Sequence, residues 1–286
     1  MIQQDALRLT PEDKRDFKLG GLFPQIRKDE IPENYSLSHL KIKDQGETDQ
    51  CTAYAVSSVS EDQEGIPLDP FYQFAATKRL DKDPDAWGAD IRTALKSAVE
   101  YGSSPMIANP GSLLDPYSPA SEQARAIASR FENFKEKKGL AMEHRKKSYF
   151  SVDGRHDLFD NIRIALWQNR ADKCSVVAGI KWRRAWTERG LSDDSERGWI
   201  SENNGPGFGH AFKICGYGYR GDAGENYLLL QLSNGERFGS NGMFYLPREI
   251  ANEELTYGAY MFKDIEPWKV RSPKLWGFFS GLGICS

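Results

Sequence analysis

Gln45-Gly46-Glu47-Thr48-Asp49-Gln50-Cys51-Thr52-Ala53-Tyr54-Ala55 is the stretch from which the rest of the chain can be read. Thr48 and Asp49 are helix-capping residue types, and beyond them Ala53, Val56 and Val59 fall on one helical face. A helix from about Gln50 to Gln63 is therefore expected, with Cys51 just inside its start. There the positive end of the helix dipole favours a thiolate and lowers the thiol pKa. The other cysteines have blander settings. Cys174 and Cys215 lie in apolar, strand-like runs, where a free cysteine is an ordinary small core residue, and Cys285 stands one residue from the end. Four cysteines without a CxxC make neither a disulfide scaffold nor a short-spaced metal site, so reduced thiols and no metal are expected.

The second informative stretch is Gly209-His210-Ala211-Phe212-Lys213-Ile214-Cys215-Gly216-Tyr217-Gly218. A polar, glycine-rich segment, Leu191–Gly209, reads as the loop that delivers His210 to the start of a strand. Strand-like runs at 175–182, 210–217, 227–232 and 243–247 dominate this half, and Asn234-Gly235 and Asn241-Gly242 are turn dipeptides. Upstream the pattern is helical. Asp69-Pro70 opens a helix ending near Leu80, and Asp90 opens another whose Ile91, Ala94, Leu95, Ala98 and Val99 form one apolar stripe before Gly102. Further helices are expected from about Pro119 to Lys137 and at 156–169, and Thr10-Pro11 marks a helix start near the N-terminus. Helices first and strands afterwards indicate an α+β protein with two lobes. The divisions are an N-terminal extension (1–44), a helical lobe carrying Cys51 (45–148), a β-rich lobe carrying His210 (149–270) and an apolar C-terminal tail (271–286).

Cys51 and His210, facing each other across the groove between the lobes, would form a thiolate–imidazolium nucleophile. On these features alone a buried, inert cysteine is the commoner outcome.

Composition narrows the class. Lys and Arg number 38 against 41 Asp and Glu, so the net charge of −3 lacks the basic footprint of a nucleic-acid-binding protein. Apolar residues at 39% and aromatics at 12% suffice for a core and exclude a disordered chain. No run approaches the length of a membrane span, and Met1-Ile2-Gln3-Gln4-Asp5 lacks a signal-peptide core, so a soluble protein of the cytoplasm or another reducing compartment is expected. Gly205-x-Gly207-x-Gly209 has neither the spacing nor the strand–helix context of a dinucleotide loop, and no cofactor is expected.

Set side by side, these strings resemble the papain-like cysteine protease family. The Gln45-Gly46 pair ahead of Cys51 and the Ala53-Tyr54 pair after it are similar to that family's nucleophile segment, with Gln45 six residues before the cysteine. His210-Ala211 followed by an apolar run and Gly216-Tyr217-Gly218 resembles its histidine segment. Tyr227 to Gly235 and then Phe238-Gly239-Ser240-Asn241-Gly242 are similar to its third segment, and Ile31-Pro32-Glu33 resembles the start of a mature domain. The resemblance covers roughly residues 31–265. It implies a helical N-terminal lobe and an antiparallel, β-barrel-like C-terminal lobe with the cleft between them. It further implies peptide hydrolysis, with Cys51 as nucleophile, His210 as proton carrier, and Gln45 with the Cys51 backbone N–H as oxyanion donors. Gly88, Phe208 and Gly209 would border the substrate; Gly88 reads equally as a turn before a helix.

Two departures stand out. The family's histidine-orienting Asn is replaced by Leu232, which cannot hydrogen-bond an imidazole, and the aromatic two positions on is Asn234. Asn234 would orient His210 only through a shift in register. Thr48 replaces a disulfide cysteine of secreted members, in keeping with a reducing compartment. The expected partner is a polypeptide substrate. The rival reading is a weak or inactive papain-fold pseudoenzyme serving a larger protein assembly, to which the apolar tail would dock. The extension is short for an inhibitory propeptide, and a protein not matured by removal of its N-terminus is expected.

Overall fold

The computed structural model describes residues 6–9, 18, 26–106, 115–117, 119, 131–152, 156–201 and 205–263. The helix start at Thr10, residues 120–130 of the fourth expected helix and the apolar tail with Cys285 lie outside them.

Helix α1 runs Cys51–Glu64 and is buried along almost its whole length. Its N-cap is Gln50, which supplies no side-chain cap, so the helix begins one residue later than Thr48-Asp49 suggest and Cys51 is its first residue. Those two side chains are used elsewhere: Thr48 Oγ1 donates to Gln45 C=O at 2.7 Å, and Asp49 accepts from Gly88 N–H at 2.6 Å. Gly65, at φ 72°, ends α1 in the left-handed conformation that glycine tolerates. Helices α2 (Pro70–Leu80) and α3 (Ile91–Glu100) start where their Asp caps predict, and α1 packs against both. Asp69 Oδ1 accepts from Phe71 N–H at 2.9 Å and Tyr72 N–H at 3.2 Å. Asp69→Ala is expected to cost about 1–2 kcal/mol in a urea melt, the range measured for buried caps. Helix α4 (Phe131–Glu143) lays Phe134 against Tyr72 and Tyr101.

The sheet has seven antiparallel-paired strands: β1 (Tyr35–Ser36), β2 (Ser148–Ser151), β3 (Val176–Arg183), β4 (Gly207–Arg220), β5 (Glu225–Gln231), β6 (Met243–Pro247) and β7 (Ala259–Lys263). Their order is β2-β7-β3-β4-β5-β6, with β1 on β4, and among the described residues no pairing closes it into a barrel. The turn at Asn241-Gly242 has φ of 53° and 79°, the left-handed pair that an Asn-Gly hairpin requires. Helices α5 (Leu158–Gln168), α6 (Arg184–Leu191) and α7 (Arg248–Glu254) complete this half.

Strand β4 is the shared wall. One face of it joins Val176, Ile180, Phe212, Ile214, Leu230 and Phe244 in the core of the β half. The other brings Ala211 to Cys51, Ala55, Val56 and Ile91 of the helical half. Charge crosses the same boundary: Lys213 Nζ meets Asp62 at 2.9 Å and Lys43 meets Glu61, all four side chains buried. Such pairs hold because each buried charge has a partner. Cys174 and Cys215 are buried free thiols, as their surroundings predicted. Lys146, in the basic run Arg145-Lys146-Lys147, is buried with its Nζ 2.6 Å from Glu64.

Candidate active site

Loop 44–50 ahead of α1 is tied to the turn after β5. Gln45 N–H donates to Ser233 C=O at 2.7 Å, Gly235 N–H to Lys43 C=O at 3.0 Å, and Ser233 Oγ to Gln45 Oε1 at 2.5 Å. The Gln45 amide donates one of its two N–H bonds to Thr48 C=O at 2.8 Å. It is fully buried beside the start of α1. Two segments singled out in the sequence, around Gln45–Cys51 and around Ser233, are thus one unit in space.

Cys51 opens α1 with its thiol receiving the backbone N–H of Ala211, the residue after His210. The thiol is fully buried, and loss of water pushes its pKa up to about 12, with the Asp49 carboxylate adding to the rise. Burial likewise lowers the His210 imidazole to about 4. The helix dipole was expected to lower the thiol; here desolvation outweighs it, and both groups are neutral between those values.

The chain's own N-terminal segment runs between Ala89 and Gly209. Leu7 pairs in parallel with Ala89: Ala89 N–H donates to Ala6 C=O and Arg8 N–H to Ala89 C=O, each at 3.1 Å. On the opposite wall Leu7 N–H donates to Gly209 C=O at 3.2 Å. Ala6 and Leu7 are buried in one cluster with Cys51 and Ala211, while Leu9 is exposed. Glycine makes the fit possible. A Cβ on Gly88 would lie 1.7 Å from Ala6 O, and one on Gly209 2.4 Å from Leu7 O. Arg8 pairs with Asp81 on the near side. Nothing in the residue types of 6–9 beyond a short apolar pair signals this strap.

The imidazole of His210 has no orienting amide. Its ring lies 5.8 Å from Trp182 and 6.3 Å from Phe208, both edge-on, and Nδ1 is buried with no hydrogen-bond partner. Leu232 is buried in the core of the β half and offers no hydrogen-bonding group. Beyond His210 opens a cavity of about 340 Å³ lined by Gly46, Glu47, Trp182, Phe208, Asn234 and Phe238, among others. Asn234 shares that wall with His210 but makes no hydrogen bond to it; its backbone bridges Asp44. Among the described residues no cluster of His, Cys, Asp and Glu has the grouping of a metal site, and no helix is long and apolar enough to cross a membrane.

No protein-family model matches the chain, and no curated protein matches it by sequence. Solved structures do. Xylellain, a cysteine protease from Xylella fastidiosa, superposes with a TM-score of 0.68 at 18% identity, covering 93% of this chain and 98% of that one. A procathepsin B from Trypanosoma congolense gives 0.58 at 14% identity over 91% and 85% of the two chains. Bromelain from Ananas comosus gives 0.54 at 14% over 82% and 99%. The architecture built by these elements, helices ahead of an antiparallel sheet with α1 lodged against β4, is the papain-like cysteine protease fold.

Proposed function

We propose that the chain is a cysteine peptidase whose cleft is covered by its own N-terminal segment. One observation carries the reading: an extended polypeptide, Ala6–Arg8, pairs by backbone hydrogen bonds with Ala89 and Gly209, and its Ala6 and Leu7 belong to the buried cluster that holds Cys51. A cleft that holds one peptide strand with sequence-independent bonds has the walls to hold another.

With the strap displaced, water reaches both groups and the dipole of α1 favours the thiolate. His210 takes the Cys51 proton; the sulfur attacks the carbonyl carbon, and the Cys51 backbone N–H and the second Gln45 N–H donate to the oxyanion. The imidazolium gives its proton to the departing amine, and water, activated by the neutral imidazole, then hydrolyses the thioester. Phe208 and Gly209 border the bound strand at His210, and Gly88 lets it approach.

The test is covalent. A peptidyl chloromethyl ketone should label Cys51 in preference to Cys174 and Cys215, and His210→Ala should slow that labelling about thirtyfold at pH 7, as the thiol returns to an ordinary pKa. Equal labelling with and without His210 would remove the peptidase reading. The packing of Leu232 and the partnerless His210 Nδ1 favour the second reading, a papain-fold protein that binds polypeptide without cleaving it. In that case the reagent labels slowly while a peptide of the same sequence still binds.

A further inference from the structure

Residues 86–89 form the edge that pairs with a strand in the cleft, yet they belong to no helix or strand of their own. Something else must fix them. Gly88 N–H donates to Asp49 Oδ2 at 2.6 Å, and Gly88 C=O accepts from Lys78 Nζ at 2.5 Å. Both backbone polar groups of Gly88 are therefore held from behind by buried side chains. The next residue, Ala89, turns its N–H and C=O outward to Ala6 and Arg8. Lys78 also donates to Ala86 C=O at 2.5 Å and to Asp81, which uses all three of its N–H bonds. Asp49 lies two residues before Cys51, so the same carboxylate belongs to the loop that sets the nucleophile.

We infer that Asp49 and Lys78 are positioning residues that lock the substrate-pairing edge to the nucleophile loop by gripping Gly88 from its two sides. The inference rests on the peptidase reading for its substrate role; the grip itself does not. Asp49 carries an opposing effect as well. Its negative charge beside Cys51 works against the thiolate, so the chain gives up some thiol reactivity for a fixed edge.

The experiment uses the full chain with Asp49→Ala, Asp49→Asn and Lys78→Met. Two readouts are taken: amide hydrogen exchange at Gly88 and Ala89, and Cys51 labelling by a peptidyl chloromethyl ketone relative to iodoacetamide. Asp49→Ala and Lys78→Met should each speed exchange and lower the labelling ratio about tenfold, the effect of leaving one buried backbone group unpaired. Asp49→Asn keeps an acceptor for Gly88 N–H and should recover most of both losses. Iodoacetamide alone should react faster with Asp49→Ala and Asp49→Asn than with the parent, a gain that a merely weakened fold confined to residues 86–89 would not produce. Unchanged exchange in both Asp49→Ala and Lys78→Met overturns the grip, and so does an Asn variant as impaired as the Ala variant. Faster exchange in a chain whose Cys51 shows no preference for the peptidyl reagent removes the substrate role together with the peptidase reading and leaves the grip standing.

Discussion

Leu7→Ala should raise the rate at which iodoacetamide modifies Cys51 by about 10²-fold at neutral pH, because losing a buried leucine side chain costs about 2–3 kcal/mol in contacts present only when the strap is seated. Leu7 is 2% exposed and shares its cluster with Cys51, so the reagent reaches sulfur only when Ala6–Arg8 lifts away. Leu7→Asp should go further. A carboxylate placed there enters an apolar cluster beside Gly179, Ile91 and Tyr257, and several kcal/mol of desolvation would hold the strap open. The modification rate of Leu7→Asp should therefore sit at the plateau set by an open cleft. Site-resolved mass spectrometry separates Cys51 from Cys174 and Cys215, whose rates should not move. A Cys51 rate that is the same in the parent and in both variants would mean that something other than the strap covers the thiol.

Acid should open the same strap where uncovered His210 and Cys51 titrate independently. In the covered state His210 is held neutral, its pKa lowered from 6.5 to about 4 by burial; once uncovered it takes a proton at ordinary pH values. An uncovered His210 that titrates independently of Cys51 binds more protons below pH 6.5, so covering is then fully favoured above 6.5 and lost as pH falls toward 4. An uncovered thiolate–imidazolium pair instead carries the same proton count as the covered neutral pair and gives no such limb. For the independently titrating His210 that interval corresponds to about 3 kcal/mol, or ~10² in the open population. Glu47, Glu188 and Arg184 line the cavity on that side of the ring in the covered state as well, so they do not set the direction of the effect. Cys51 acts at the other end of the scale. Its pKa, raised from 9.0 to about 12, means the open state sheds a proton first, so base also opens the cleft. In the binding-only reading, protection of the Leu7 and Arg8 amides against hydrogen exchange, corrected for the intrinsic pH dependence, should fall about 10² between pH 7 and 4; in the peptidase reading, where uncovering forms the ion pair, it should stay level over that range. In His210→Phe that acid limb should be absent. A limb that survives the substitution would assign it to other groups.

Much of the fold was legible because its signals are local. Asp69-Pro70 and Asp90 mark caps that the structure uses, and Asn241-Gly242 marks a hairpin whose φ values only such a pair adopts readily. Helix α6 falls between the strand expected at 175–182 and the loop expected from Leu191, and α7 in the run after β6; neither carries a periodic signal, because each is only about two turns long. The buried charges were invisible for a different reason. Glu61 and Asp62 look like a solvated helix end until Lys43 and Lys213, distant in sequence, are brought beside them. For the site, Cys51 opens α1 and Ala211 lies inside β4, which begins at Gly207 rather than at His210, because the last residues of the expected loop Leu191–Gly209 already pair with β3. The strap, and the grip of Asp49 and Lys78 on Gly88, are backbone pairings. Backbone groups are alike in every residue, so a sequence carries almost no trace of which of them will meet.

That the strap belongs to the same chain as the cleft has a consequence for competition. Residues 10–25 join Leu9 to Ile26, with Lys18 among them paired to Ser151, and a short covalent tether gives the covering segment a local concentration on the order of millimolar, independent of the protein's own. Ala6–Leu9 as a free peptide would need only millimolar affinity to cover half the molecules when tethered. An added peptide faces that local concentration at every encounter. Its apparent affinity is divided by the closed-to-open ratio, whatever its fit to Ala89 and Gly209. Breaking the connection would dilute the occupant from millimolar to the concentration of the protein itself and turn a reversible cover into a lost one.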